Sequence, residues 1–412
     1  MTHIPRITKC RVSRNSDLIS VVNLGEQALT GVFPASANEE VSRGPLELVW
    51  SPSSGLLQLA NVFDPAEMYG DNYGYRSGLN GSMVAHLASK VKHLETLVSL
   101  ESGDVVLDIG SNDATMLKAY EQGGLVRVGI DPTANKFAEY YPDGYVLVPD
   151  FFSAATYKSA VSKPAKIVTS IAMFYDLEDP VKFAREVSDV LADDGVWHFE
   201  QSYMPSMLRT HSYDTICHEH VEYYSLSVVR RILTEAEFTI IDVTMNAVNG
   251  GSFAVTAQKS RSLSTAPVVP VCEWLLEQES RMGLDSPAPF RRFEEEMYQH
   301  RDDLRRLVQR LREAGKTVYG YGASTKGNVL LQFCGFGPNE ITAIAEVNED
   351  KFGRFTPGSK IPIVPEAEVR GERPDYLLVL PWHFKNGIIE REKEFLAQGG
   401  RMIFPFPEIE IV

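Results

Sequence analysis

The sequence predicts an α/β protein in three parts: a small loop-rich module over residues 1–80, a doubly wound domain over 81–260 and a second, smaller α/β domain over 271–412. Three observations predict it. Apolar, strand-like runs alternate with segments of helical period from Val105 to Lys259, and again from Thr317 onward. A Gly-rich turn follows the first strand of each series, at Gly110 and at Gly320–Gly322. Between the two series, Ser260–Pro270 has the Ser/Pro content of a linker.

The elements follow in order. In Ser82–Leu100, Met83, Leu87, Val91, Leu94 and Val98 recur three or four residues apart, which predicts a helix with one buried face. Strands are expected at Val105–Ile109, Val126–Ile130, Tyr145–Val148, Lys166–Ile171 and Gly195–Gln201, then at Phe238–Thr244 and Ser252–Gln258. The last two flank Asn246–Gly251, whose Asn-Gly-Gly predicts a hairpin turn. Five β-α units closed by a hairpin resemble the seven-stranded, Rossmann-like sheet of class I S-adenosylmethionine (SAM) methyltransferases. Beyond the linker, Pro289 to Ala314 carries Phe290, Phe293, Met297, Leu304, Leu307 and Leu311 on one helical face. Strands at Thr317–Tyr321, Ile341–Glu346, Tyr376–Leu380 and Met402–Phe404 then build a C-terminal Rossmann-like unit.

Composition narrows the function classes. Of 412 residues, 44% are hydrophobic and 23% charged, as in folded globular chains. A net charge of −15 repels nucleic-acid phosphates and anionic lipid, so neither is an expected partner. No apolar run reaches the roughly 18–20 residues that span a bilayer, and the N-terminus shows no signal-peptide core, so a cytoplasmic protein is expected. The four cysteines (Cys10, Cys217, Cys272, Cys334) form no Cys-x-x-Cys pair, so neither a disulfide framework nor a metal site is expected.

Three segments carry chemistry. Asp108-Ile-Gly110-Ser111-Asn112-Asp113 ends the first strand of the large domain, where a Gly turn lets a ligand approach the backbone and a carboxylate can hold an ammonium group. Asp131 ends the next strand, placed for ribose hydroxyls. Asp150, Phe151 and Phe152 follow the third, and the fourth, ending at Met173, closes the pocket floor. A dinucleotide is the rival ligand, but G-x-G-x-x-G is absent, which leaves SAM. The second segment, Tyr203 to Tyr224, includes Cys217, His218, Glu219 and His220; in an extended chain the two histidines share a face and Glu219 points away. A His beside a carboxylate suits a general base, although metal ligation and structural hydrogen bonding are also open to this pair. In the third, Gly320-Tyr-Gly-Ala-Ser324-Thr-Lys326-Gly-Asn328, backbone N–H groups with Ser324 and Lys326 suit an anion such as a diphosphate. His383 lies in a loop expected at the same sheet edge.

Together, Tyr73-Gly-Tyr75-Arg76-Ser77-Gly, Asp108–Asp113, Tyr213-Asp-Thr-Ile-Cys217-His218-Glu219-His220, Asn249-Gly-Gly-Ser and Gly320–Asn328 resemble the SAM-dependent sugar C-methyltransferases of the mycarose/tetronitrose 3-C-methyl type, over essentially the whole chain. The resemblance implies a nucleotide-linked 4-keto-deoxysugar as substrate, deprotonated beside its ketone. His220 would be the base with Glu219 as partner, and His218, Asp176 and Tyr75 would complete the catalytic set. Tyr73, Tyr75, Arg76, Ser77, Cys217, Tyr224, Asn249, Ser324, Lys326, Asn328 and His383 would line the substrate. Three departures stand out. The family's N-terminal zinc ligands fall on Cys10, Ser13, Ser51 and Ser54, so zinc is not expected and the module would be held by apolar contacts alone. A catalytic Tyr falls on Cys217, and a His on Asp176. O- or N-methylation of another scaffold, or a silent SAM- or nucleotide-binding protein, are the alternatives; a monomer or homodimer is expected.

Overall fold

Val-, Ile- and Leu-rich runs order three sheets in a computed structural model that describes residues 4–64, 68, 75–265 and 267–412. Tyr73 lies outside the described residues. In chain order, β1 (Ile19–Ala28), β2 (Arg43–Trp50) and β3 (Leu57–Leu59) form an antiparallel meander. Then come β4 (Val105–Ile109), β5 (Val126–Ile130), β6 (Val146–Val148), β7 (Ala165–Ile171) and β8 (Leu191–Ser202). β9 (Glu222–Tyr223) precedes the hairpin of β10 (Phe238–Asn246) and β11 (Ser252–Lys259). The large sheet runs β10-β11-β8-β7-β4-β5-β6, parallel except for the hairpin strands. This is the class I SAM methyltransferase order, as expected.

The third sheet is also doubly wound. It orders β12 (Val318–Tyr321), β13 (Ile344–Glu346), β14 (Ile363–Pro365), β15 (Tyr376–Val379), β16 (Arg401–Phe404) and β17 (Glu410–Ile411) as β14-β13-β12-β15-β16-β17. β14 and β17 have no counterpart among the expected strands. At two or three residues each, they are too short to carry a period.

Three expectations need correcting. Residues 1–80 are not merely loops: β1 and β2 pair along most of their length, but register shifts at Ser20/Val22 and Asn23/Glu26 break the period-two pattern that would have announced them. Nor is this sheet self-contained, because β9 from the middle of the chain pairs with β3 as its fourth strand. Finally, a helix over Pro270–Met282 lies outside the expected elements, its buried face limited to Cys272, Leu275 and Glu279 and its Trp274 half exposed. Cys272 and Leu275 join the core of the large sheet, and Glu279 accepts from Leu226 N and Ser227 N at the start of the helix Leu226–Glu235. The large α/β unit thus extends past the boundary expected at 271.

The N-terminal and C-terminal sheets share one continuous core that runs from Val21 through Trp50, Phe290 and Phe293 to Phe404. The long helix Ala288–Glu313 supplies its middle, with Trp50 and Phe290 ring centroids 6.0 Å apart. Polar ties reinforce it: Gln332 Oε1 accepts from Ala28 N at 2.7 Å, and Asn328 Nδ2 donates to Thr30 O at 2.8 Å. Replacing the fully buried Phe290 by Ala should cost about 3–5 kcal/mol. Urea unfolding should show this loss, with the N- and C-terminal units melting together.

Candidate active site

The carboxyl edge of the large sheet starts with the β4 turn. Gly110 has φ +74°, and a Cβ there would lie 3.2 Å from Met173 Cγ, so glycine permits both the turn and the close approach of Met173. Asp108, 4% exposed, takes a 2.6 Å bond from Thr169 Oγ1. Burial outweighs that bond and, with the nearby Asp131 charge, pushes its pKa up to about 7. Ser111 Oγ lies 2.7 Å from Tyr141 OH. Asp131 accepts from Asn112 N, Thr133 N and Thr133 Oγ1 at 2.6–2.8 Å, leaving about one of its four acceptor positions open rather than the two that both ribose hydroxyls would need. Asp150 and Phe151 are exposed past β6, and Phe152 packs edge-on to Phe183 at 5.2 Å.

Asn112 departs from its expected place as a cofactor contact. Its Oδ1 accepts from Ser77 N at 3.0 Å and its Nδ2 donates to Tyr75 O at 3.1 Å, so the amide pins the 75–77 loop to the turn. Gly78 N donates to Asp113 in the same way, and the Arg76 guanidinium lies 4.4 Å over the Tyr140 ring, donating to its hydroxyl. Tyr75 is left half exposed at this edge, as a substrate-facing ring would be.

Two residues beyond Met173, the Tyr175 ring stands edge-on to the His220 ring, centroids 4.3 Å apart. The His220 Nδ1 is 2.9 Å from Thr215 O. A carbonyl only accepts, so Nδ1 carries the proton and Nε2 the free lone pair. Burial, with the Lys326 charge as a lesser cause, lowers the imidazole pKa to about 4, so it is neutral at pH 7. Tyr175, Ser202, Met207, Thr215, His220 and Tyr223 line one cavity.

The partners expected for His220 lie elsewhere. Residues 218–219 form a bend, not an extended strand, and His220 N bonds back to Cys217 O at 3.3 Å. The two histidines therefore do not share a face. His218 is fully buried, 3.3 Å from Gly44 O and edge-on to Phe63 at 4.6 Å, so its place is in the N-terminal core. Glu219 accepts from Thr30 Oγ1 at 3.2 Å and points toward Gly31 of the N-terminal module, with Thr215 O taking the imidazole instead. Tyr224 is no substrate residue: fully buried, it stacks on Phe174 at 5.4 Å and donates to Glu222. Asn328, also fully buried, ties Thr30, and Ser324 Oγ caps its own helix by accepting from Gly327 N. Cys217 is fully buried, which holds its thiol pKa well up. Asp176 is half buried beside it, its charge reaching Cys217 and Tyr223.

The C-terminal unit contributes a cluster only partly foreseen. Lys326 Nζ donates to Asn249 O at 2.8 Å, where Asn249 (φ +57°) makes the hairpin turn. The Lys326 charge also acts on Asp214, His220 and His383. Asp214, 1% exposed, accepts from Trp382 Nε1 at 2.8 Å. Burial pushes Asp214 up to about 6 and lowers His383 to about 3. Sequence reasoning missed the Asp214–Trp382 pair and the Thr215 carbonyl. The first joins residues far apart in the chain, and the second is a backbone group that no side-chain pattern announces.

Three family models match: a zinc-binding domain over residues 10–69, a methyltransferase domain over 83–243 and a C-methyltransferase C-terminal domain over 247–407. The chain is also 32% identical to the C-methyltransferase NovU of Streptomyces niveus over 410 residues, covering 98% of this chain and 97% of that protein. The chain belongs to the C-methyltransferase family.

Among solved structures, it is similar to the methyltransferase bound to the Trm112 activator of Haloferax volcanii (15% identity, 44% of this chain and 94% of that one, TM-score 0.36). It is also similar to the magnesium protoporphyrin IX methyltransferase of Synechocystis with SAM bound (12% identity, 43% and 77%, TM-score 0.31). This C-methyltransferase is SAM-dependent, and its residues fit that cofactor. Among the described residues no cation pairs with the buried Asp108 carboxylate, Gly110 keeps the turn open, and Phe151 offers an exposed ring beside Asp150. Transfer to carbon displaces the O- and N-methylation alternatives. Among the described residues no helix is long and apolar enough to cross a membrane.

Trp382→Phe should raise the Asp214 pKa above 6 by removing its indole donor. The sign follows: a buried acid with a raised pKa costs stability once pH exceeds its ordinary range, and more so the higher the shift. The variant should lose about 1–3 kcal/mol at pH 8 and less at pH 5, measured by urea unfolding at both.

Proposed function

We propose that this C-methyltransferase methylates a carbon beside the ketone of a nucleotide-linked keto-deoxysugar, with His220 Nε2 as the base. Two contacts on the loop after β7 carry the reading: Met173 lies against the Gly110 turn, and two residues further on the Tyr175 ring faces a neutral His220 imidazole with a fixed tautomer. A neutral imidazole is free to accept a carbon-bound proton, and the enolate formed beside it would stabilise the imidazolium, offsetting the low basicity that burial imposes. Lys326, whose charge reaches the base from the C-terminal unit, supplies positive potential for the enolate oxygen or the adjoining diphosphate. SAM, when bound, supplies the electrophilic methyl group.

In the same reading Asp108 holds the cofactor's ammonium group, Asp131 one ribose hydroxyl, and Asp150 with Phe151 and Phe152 the adenine, between the Ser111 turn and Met173. Tyr75, Arg76 and Ser77 cover the sugar, with Cys217 and Asp176 as a changed wall; Asn249, Lys326 and His383 face its nucleotide side. The N-terminal module works without zinc.

Two measurements test this. His220→Ala should bind S-adenosylhomocysteine within about twofold of wild type, yet lose two or more orders of magnitude in turnover. With nucleoside diphosphate 4-keto-6-deoxyhexoses as probes in D2O, wild type should exchange the hydrogen beside the ketone and the variant should not. Exchange that survives in the variant would sink the assignment. Second, Asp108 ionises only near pH 7, so below that pH an ammonium ligand must first expel a proton. Calorimetric affinity for S-adenosylhomocysteine should fall about tenfold per pH unit below 7. Turnover at saturating SAM should stay flat to about pH 5, since His220 protonates only near 4.

A further inference from the structure

We propose that a hydrogen-bonded hub on Asp17 replaces a metal ion in the N-terminal module, and that this hub positions the Tyr175–Asp179 loop beside the base. The family zinc model covers residues 10–69, but the residues here do not fit zinc. Its four expected ligand positions hold one thiol and three hydroxyls, and neutral hydroxyls do not replace thiolates on Zn²⁺.

The four positions nonetheless still converge. Cys10 Sγ is 3.1 Å from Ser54 Oγ and 3.5 Å from Ser13 N, and the Ser13 and Ser51 hydroxyls are 3.5 Å apart. A tetrahedral zinc site with bonds of about 2.3 Å separates its sulfurs by about 3.8 Å, so the backbone keeps the shape of the metal site. A carboxylate gathers the hydroxyls: Asp17 accepts from Ser51 Oγ at 3.0 Å, Ser53 Oγ at 3.1 Å and Ser53 N at 2.8 Å, and Ser53 Oγ lies 2.8 Å from Ser13 Oγ. Polar bonds thus complement the apolar contacts that were expected to hold the module alone.

The knuckle built this way grips the methyltransferase unit. Arg11, 2% exposed, donates to both Glu178 carboxylate oxygens at 3.1 and 3.2 Å and to Leu59 O at 2.8 Å. Arg14 pairs with Asp179 at 2.5 Å, and Arg231 reaches back to Ser53 O. Glu178 and Asp179 end the loop that carries Tyr175, whose ring faces His220. Asp17 is therefore a positioning residue. Only this last link rests on the reading of His220 as base; the metal-free hub stands apart from it.

The test uses the full chain. Elemental analysis of purified protein should find no stoichiometric zinc, and EDTA should leave Tm and turnover unchanged. Asp17→Ala should lower Tm by several degrees and, well below Tm, reduce kcat several-fold with KM for SAM unchanged. In that background Ser13→Cys, Ser51→Cys and Ser54→Cys should take up one zinc per chain and recover both Tm and kcat. One zinc per wild-type chain, or an Asp17→Ala protein with unaltered Tm, overturns the hub. A lowered Tm with unaltered kcat overturns the positioning. If Asp17→Ala fails to fold, the zinc-loaded quadruple variant decides: recovery supports the proposal and no recovery overturns it. Loss of S-adenosylhomocysteine binding or of His220-dependent exchange would count against the proposed reaction instead.

Discussion

The two-residue strand β9 constrains most of what surrounds His220. Leu57 pairs with Tyr223 and Gln58 with Glu222, and Leu59 N donates to Val221 O at 2.9 Å. These few bonds tie the middle of the chain to the N-terminal sheet immediately after His220. With the segment fixed at that end, the bend at 218–219 sends three successive side chains in three directions. His218 enters the N-terminal core, Glu219 reaches Thr30, and His220 turns to Tyr175 and the Thr215 carbonyl. The His-Glu-His run is thus mostly an interface between modules, and only its last residue faces the cavity.

Burial sets the electrostatics of that interface. Desolvation opposes charge on every group, lowering His220, His383 and Lys326 and raising Asp214 and Glu219. Lys326 and Asp214 partly restore one another, since each charge favours the other in a medium that screens poorly. The neighbouring imidazoles gain nothing from the lysine, which pushes both further toward the neutral form. His220 is therefore unprotonated at neutral pH, with the Lys326 charge as a source of positive potential nearby.

Much of this was legible in the sequence, and the limits are instructive. Val105–Ile109, Val126–Ile130 and the helix beginning near Ser82 announced themselves because long, regularly buried segments impose a period. The turn at Asp108–Gly110 was legible because an apolar strand ends there at a glycine that holds a positive φ. β1 was hidden by its bulges, and the helix Pro270–Met282 by its thin buried face. Asn112, Glu219, Tyr224 and Asn328 were misplaced for one shared reason. Each is a polar residue next to a functional motif, and whether such a residue faces ligand or protein depends on which backbone groups the fold brings opposite it. The sequence does not contain that distance information.

The shared core of the first and third sheets follows from the same arrangement. His220 sits on a segment anchored to the N-terminal sheet, while Lys326, whose charge acts on it, rides on a helix of the C-terminal unit. Their separation therefore depends on how those two sheets are held, and only secondarily on the sheet bearing the Asp108 turn. Trp50 against Phe290, Gln332 on Ala28 and Asn328 on Thr30 hold them as a single body. The Arg11–Glu178 pair then docks that body onto the loop after β7. Weakening the contact between the outer modules would leave the Asp108–Asp113 turn intact while moving His220 and Lys326 apart, because no residue of that turn takes part in it.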